Sequence, residues 1–137
     1  MKYLTIGLGI LAVLLCLSLV FSLLSVRYLR EIEAPLREAE SFLAAGDFDA
    51  IRSLTADARD RWDEHLGFFS SLLSHGELDE VSNDFASLSA YAALEELPDY
   101  CAVHARLCTM LAHLRDIDQL RYYNFLCPIV NQFENKG

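Results

Sequence analysis

The sequence feature that most constrains the fold is an unbroken run of 24 uncharged residues at positions 3–26. A helix of that length spans about 36 Å, while the hydrocarbon core of a bilayer is about 30 Å thick. A cleavable signal peptide needs an apolar core of only about 7–15 residues, so this run is longer than secretion requires. We therefore predict an uncleaved transmembrane anchor over residues 1–26, which contacts lipid through residues 3–26. Cleavage after Ser22 is the alternative.

The distribution of charge excludes two classes of function. All 20 Asp and Glu residues follow residue 26, together with only 10 of the 11 Lys and Arg residues. An acidic domain of this kind offers no basic face for phosphates, so we expect no nucleic-acid partner. The same balance argues against a polybasic module that binds membrane surfaces.

After the anchor, apolar residues recur with helical spacing, and no stretch alternates with a period of two. Asp47 or Asp49 should cap the clearest of these helices at its N-terminus, and Gly46 should end the helix before it. From Ile51 onwards this helix carries an apolar stripe within about 60° of one line. The stripe comprises Ile51, Leu54, Thr55, Ala58, Trp62, His65, Leu66, Phe69, Leu72 and Leu73.

Helices joined by short connections pack best as antiparallel neighbours. We therefore predict an all-α fold in which the transmembrane helix continues into a small antiparallel helical bundle of two helical hairpins, with tetratricopeptide-like geometry.

Pro35 should break or kink the first bundle helix. The second helix should end at residues 74–76, and a short helix or extended tail should start at Ile117. The predicted units are the anchor at 1–26, the first bundle helix at 27–45, the bundle at 46–126 and a tail at 127–137.

Several of these features resemble one family of small bacterial proteins. A Trp lies in the second helix, a His-x-Glu-Leu motif lies at its end, and an Asn followed by an apolar residue lies near the C-terminus. This pattern is similar to the family catalogued as domain of unknown function 4363, found mainly in Clostridia-like Firmicutes. The resemblance implies a single-pass membrane protein and supplies no catalytic residues. Its motif positions here are Trp62, His75, Glu77, Leu78 and Asn124.

The sharpest candidate for chemistry is the pattern Cys101-x-x-His104-x-x-x-Cys108. Cys and His are natural zinc ligands. The two cysteines lie about 10.5 Å apart along a helix, which is too far to share an ion or form a disulfide. His104 and Cys108 could hold an ion with Cys127 or a second subunit. The alternative is that these cysteines are small buried residues, and we expect no metal and no cofactor.

The sequence favours a protein that is not an enzyme. His75 and Glu77 could form an acid–base pair, but nothing beside them would bind a substrate. His75 fits more simply at the end of the second helix, where it would interact with the last carbonyl groups. The sequence contains no phosphate-binding loop, dinucleotide glycine pattern, metalloprotease motif or nucleophile elbow.

Two function classes stay open. The first is an interaction or scaffold protein that binds another membrane or envelope protein, with the apolar residues 122–126 and 129–130 near its C-terminus as a docking segment. Stripes of small residues in the anchor would also permit a homodimer. The second is a membrane-tethered sensor, in which a small ligand or a proton binds between helices near Trp62, His65 and Phe85. We favour the first class.

The orientation in the membrane is weakly determined. One Lys precedes the apolar run and three Arg residues follow it closely, which favours a cytoplasmic C-terminal side. A short N-terminus before a long apolar run is equally typical of a signal anchor, which exports the C-terminal domain. Three cysteines after the anchor would leave one unpaired in an oxidising compartment. On the basis of the family resemblance, we predict a cell-membrane location with the C-terminal domain outside the cytoplasm.

Overall fold

The computed structural model describes the backbone of residues 1–134 and the side chains of residues 1–116. Within that part, the chain forms four helices that pack antiparallel. Each helix contacts two neighbours: α1 and α3 both pack against α2 and α4. The two hairpins therefore close into a ring around one core, and the predicted all-α fold is confirmed. The helices are α1 (Lys2–Leu43), α2 (Phe48–Phe69), α3 (His75–Leu94) and α4 (Leu97–Glu134).

Helix α1 passes through two environments without interruption. Residues 1–21 are all exposed, and of the described helices α1 is the one long and apolar enough to cross a membrane. From Ser25 onwards one face of the same helix enters the core of the bundle. The boundary predicted between anchor and bundle thus falls inside a continuous helix. The buried residues of α1 are Ser25, Leu29, Ile32, Glu33, Pro35, Leu36 and Ala39.

Of the break or kink predicted at Pro35, the break is wrong, because α1 continues through this residue. A proline inside a helix has no N–H to donate, so the carbonyl four residues earlier loses its partner. That carbonyl belongs to Glu31, and it instead accepts a hydrogen bond of 3.1 Å from Nη1 of Arg61 on α2. A side chain from the neighbouring helix therefore satisfies the group that the proline leaves unpaired.

The connection between α2 and α3 also differs from expectation. Helix α2 ends at Phe69, and His75 is the first residue of α3 rather than part of the end of α2. Ser74 caps α3: its backbone N–H donates to the Glu77 carboxylate at 2.9 Å, and its hydroxyl accepts from the Glu77 N–H at 3.3 Å. This reciprocal pair is a capping box, which satisfies two of the free N–H groups at a helix start. The predicted end at residues 74–76 is therefore wrong.

Other helix ends agree more closely with the sequence pattern. Asp47 caps α2 as predicted, since its side chain accepts from the Ala50 N–H at 3.1 Å. Gly46, just before it, adopts a left-handed conformation with φ of +66°. Pro98 is the second residue of α4, inside the first turn, where its missing N–H costs no helical hydrogen bond. No separate helix or extended segment begins at Ile117, because α4 continues to Glu134.

The core contains most of the apolar stripe predicted for α2, together with apolar faces of α1, α3 and α4, whereas Leu66 and Leu72 of the predicted stripe are exposed. Trp62 of α2 is fully buried, and its ring stacks on Phe69 and Phe85. Across the bundle, the hydroxyl groups of Thr55 and Tyr100 form a buried hydrogen bond of 2.8 Å. The largest fully buried side chains are Trp62, Tyr100, Phe69, Phe85, Leu29, Ile32, Leu36, Ile51, Leu88, Leu107, Leu111 and Val81.

A double-mutant cycle tests the role of Arg61 at the proline. Arg61→Met should destabilise the bundle, because the Glu31 carbonyl is left without its donor. In a Pro35→Ala background, residue 35 regains an N–H for that carbonyl, so Arg61→Met should cost about 1 kcal/mol less. The free energy of unfolding can be followed in detergent by the fluorescence of Trp62, the single tryptophan. Equal costs of Arg61→Met in both backgrounds would contradict this explanation.

Candidate functional site

Three of the positions that carry the family resemblance, Trp62, Glu77 and Leu78, lie in the α2–α3 hairpin. Trp62 is buried in the core, and its indole N–H donates to the Ser82 hydroxyl of α3 at 3.1 Å. Leu78 is buried on the facing side of α3. Glu77 takes part in the capping box, and these hydrogen bonds from Ser74 lower the pKa of its carboxyl group. The geometry of these residues explains a stabilising role for each.

His75 and Asn124 complete that set. His75 is exposed at the start of α3, where the Glu77 carboxylate is already engaged by Ser74. The placement of His75 at the last carbonyl groups of α2 is therefore wrong. Asn124 lies outside the described side chains.

The residues proposed for a sensor site lie on two sides of α2. Trp62 and Phe85 are in contact, with ring centroids 6.2 Å apart. His65 instead faces α1, where its ring stacks on Tyr28 at 3.9 Å and its Nε2 lies 3.9 Å from a Glu31 carboxylate oxygen. The sensor interpretation stays a prediction.

The contact between α1 and α4 is lined by polar side chains and forms the candidate site. We refer to it as the polar seam. Most helix contacts in the core are apolar, so a concentration of titratable groups at one contact is a candidate for function. The polar seam consists of Glu33, Arg37 and Glu40 of α1 with His104, Cys108 and Arg115 of α4.

His104, Cys108 and Glu40 form the half of the polar seam farther from the apolar segment of α1, and His104 is the most buried of the three. Only 3% of its surface is exposed, and its Nε2 lies 2.8 Å from the Leu36 carbonyl oxygen. A carbonyl oxygen can only accept, so Nε2 carries the hydrogen and donates it. The other ring nitrogen, Nδ1, lies 3.9 Å from a Glu40 carboxylate oxygen. Sγ of Cys108 is almost equidistant from the two ring nitrogens, 3.9 Å from Nδ1 and 3.8 Å from Nε2.

Cys108 is a protonated thiol in these surroundings. Burial raises the pKa of its thiol to about 11, and the negative charges of Glu40 and Glu33 add to the shift. A thiol with so high a pKa is a poor nucleophile at neutral pH, because the reactive form is the thiolate. Nucleophilic catalysis by Cys108 therefore has no support in the geometry.

Glu33 lies in the half of the polar seam nearer the apolar segment of α1 and is 4% exposed. Its Oε2 accepts from Arg115 at 2.7 Å and from Arg37 at 3.2 Å. Its Oε1 is buried and has no hydrogen-bond partner among the described residues. Burying a carboxylate costs free energy even when it has two guanidinium partners. Removing one of these partners costs more, because part of the buried charge is then left uncompensated.

The structure brings together part of the predicted metal-ligand set. His104 and Cys108 are adjacent as their spacing predicted, and Glu40 of α1 joins them, which sequence reasoning missed. Atoms of Glu40, His104 and Cys108 that could bind a metal all lie within 4.8 Å of one another. Cys101 is a free, half-buried thiol outside this group, and Cys127 lies outside the described side chains.

Comparison with known proteins gives a family. A family model described as a domain of unknown function, DUF4363, matches residues 22–125. The chain belongs to the DUF4363 family. The DUF4363 match begins just before α1 enters the core and ends within α4, so it covers the helical bundle with its polar seam. No curated protein and no solved structure gives a significant match.

Removing one guanidinium tests the energetics of the polar seam in this DUF4363 protein. Arg115→Met should lower the free energy of unfolding by about 2–4 kcal/mol, because the buried Glu33 carboxylate loses its closer partner. Adding Glu33→Leu to the same chain should recover most of that loss.

The matched control is Arg59→Met, which removes an exposed arginine 3.8 Å from Asp63. An exposed ion pair of this kind contributes less than about 1 kcal/mol. If Arg115→Met costs no more than Arg59→Met in urea unfolding, the buried charge at Glu33 does not have the energetic role assigned here.

Proposed function

We propose that this DUF4363 protein is a single-pass membrane protein that holds a helical interaction or scaffold module at the outer surface of the cell membrane. The supporting observation is the continuity of α1, whose first half is apolar and exposed and whose second half lies in the core. A helix that passes from lipid into a bundle without a linker fixes both the distance and the orientation of the bundle. A positioned surface of this kind suits a scaffold.

The position on α1 at which contact with the bundle begins also supports a membrane anchor. The ring of Phe21 on α1 stacks on Phe68 near the end of α2, with centroids 5.4 Å apart. Residues 3–20 are left to cross the membrane, and a helix of 18 residues spans about 27 Å, close to the hydrocarbon thickness. The α2–α3 connection would then lie at the bilayer interface, where Arg27 and Arg30 can reach lipid headgroups.

The proposed role is non-catalytic, and the proposed partner is another membrane or envelope protein. The net charge of −9 over the whole chain makes a positively charged partner surface the best match. The apolar tail predicted as a docking segment lies outside the described side chains. A second copy of the chain, paired through the anchor, is the alternative partner.

Anchoring and orientation can be tested together on the full chain with a C-terminal tag. We expect the chain to stay in the membrane pellet after alkaline carbonate extraction, with residues 1–22 present in its intact mass. In intact protoplasts, added protease should remove the tag while a cytoplasmic control protein survives. A mature chain that begins at Leu23 would contradict the anchor, and a tag that survives until lysis would contradict the outward orientation.

The scaffold role predicts a partner that depends on the C-terminal segment. The detergent-solubilised full chain should co-purify an envelope protein, and a chain ending at residue 116 should lose it. Both chains should show the same unfolding transition of Trp62 fluorescence, which shows that the bundle is intact. Equal recovery of the partner with both chains would contradict a docking role for residues 117–137.

A further inference from the structure

Three side chains in the half of the polar seam farther from the apolar segment of α1 have the chemistry of a metal site. We propose that Glu40, His104 and Cys108 bind one zinc ion, with a water molecule in the fourth position. This assignment is independent of the scaffold role, since it depends on the bundle alone. It replaces Cys127 of the sequence-based ligand set with a carboxylate from α1.

The separations of the ligand atoms are close to those of a tetrahedral zinc site. With bonds of about 2.0–2.3 Å, neighbouring ligand atoms on zinc lie about 3.3–3.6 Å apart. Here Nδ1 of His104 lies 3.9 Å from both the Glu40 oxygen and the Cys108 sulfur. The Glu40 oxygen and the Cys108 sulfur lie within 4.8 Å of each other. To share one ion, the three atoms have to move closer together by up to roughly 1.5 Å.

The histidine is already oriented for this role. Its Nε2–H donates to the Leu36 carbonyl oxygen at 2.8 Å, so in the neutral ring the lone pair is on Nδ1, the nitrogen that lies 3.9 Å from the Glu40 carboxylate. Ligating histidines usually donate their second ring N–H to a carbonyl or a carboxylate, which fixes the tautomer and the ring position. Burial on α4 restricts the ring further.

The electrostatics of the polar seam favour a cation at this point. The Glu40 carboxylate lies 3.9 Å from Nδ1 of His104 and attracts a positive ion placed between them. On binding, the S–H bond of Cys108 is replaced by a sulfur–zinc bond, and the proton passes to solvent. Arg37 opposes the cation, but its guanidinium is largely exposed and is bonded to Glu33.

Access and ligand type favour zinc over other divalent ions. The Glu40 side chain is 59% exposed, while His104 is buried, so an ion can enter from the solvent side of α1. A set of one thiolate, one imidazole and one carboxylate suits zinc, whereas calcium and magnesium prefer oxygen ligands alone. Three protein ligands leave one position open for water.

Cobalt is a spectroscopic probe for this site. The full chain, reduced and in detergent micelles, should take up one Co²⁺ per chain, with a sulfur-to-cobalt charge-transfer band in the near ultraviolet and the strong visible bands of tetrahedral cobalt. Zinc should displace the cobalt and abolish these bands. Cys108→Ser should remove the charge-transfer band, and Glu40→Gln should weaken zinc binding by more than about tenfold.

Matched controls separate this site from adventitious binding. Cys101→Ser removes a half-buried thiol from the same helix, and Glu38→Gln removes an exposed carboxylate from α1; both should bind cobalt like the unchanged chain. Glu40→Gln alters an exposed side chain, so its fold is expected to be intact, as circular dichroism can verify.

Three results would overturn the assignment. The first is the absence of a charge-transfer band in the unchanged chain. The second is a band that persists in Cys108→Ser. The third is binding that is retained in Glu40→Gln but lost in Cys127→Ser, which would give the third position to Cys127.

Discussion

In the proposed arrangement one unbroken helix has to be stable both in lipid and in the protein core, and the rest of the molecule packs around it. In a bilayer core every backbone N–H and C=O must be paired within the chain, which an α-helix does by itself. In the bundle the same helix carries Pro35, which leaves the Glu31 carbonyl without its helical donor. Arg61 of α2 supplies the missing hydrogen bond. The packing of α2 on α1 therefore allows a proline within a continuous helix.

The two sides of α1 differ in chemistry. Towards α2, the rings of Phe21, Tyr28, His65 and Phe68 form a continuous aromatic contact that leads from the apolar segment into the bundle. Towards α4, the polar seam contains the buried Glu33 carboxylate and the His104 cluster. Aromatic packing adds stability through buried area, whereas a buried charge network adds little net stability and is often retained for specificity or function. The polar seam is for that reason the better place to look for a ligand.

Much of the fold could be predicted from the sequence because helical spacing identifies buried faces directly. Ile51, Ala58 and Trp62 all lie in the core, on the apolar stripe that the sequence pattern indicated. The end of α2 was misplaced because Leu72 and Leu73 continue its apolar stripe beyond the last helical residue. The Ser74-x-x-Glu77 capping box was the signal that could have corrected this error. The break expected at Pro35 does not occur because its compensating donor comes from another helix, which no local pattern reveals.

The candidate site was harder to predict from the sequence, because one of its residues also comes from another helix. His104 and Cys108 lie one helical turn apart, so their spacing alone brings them together. Glu40 reaches them only through the packing of α1 against α4. Nothing in the local sequence distinguishes Glu40 from the exposed Glu38 two residues earlier. A site assembled from two helices depends on their register, and the register is set by the whole core.

The central claim, that α1 is continuous from lipid to core, can be tested most directly by a nitroxide scan of residues 10–40 in lipid nanodiscs. The account predicts that labels at residues 10–20 are accessible to oxygen and shielded from a polar relaxation agent. From residue 25 onwards, mobility should vary with a 3.6-residue period, with minima at Ser25, Leu29, Ile32, Leu36 and Ala39. High mobility at residues 22–26 or around Pro35, or loss of that periodicity, would contradict a continuous helix.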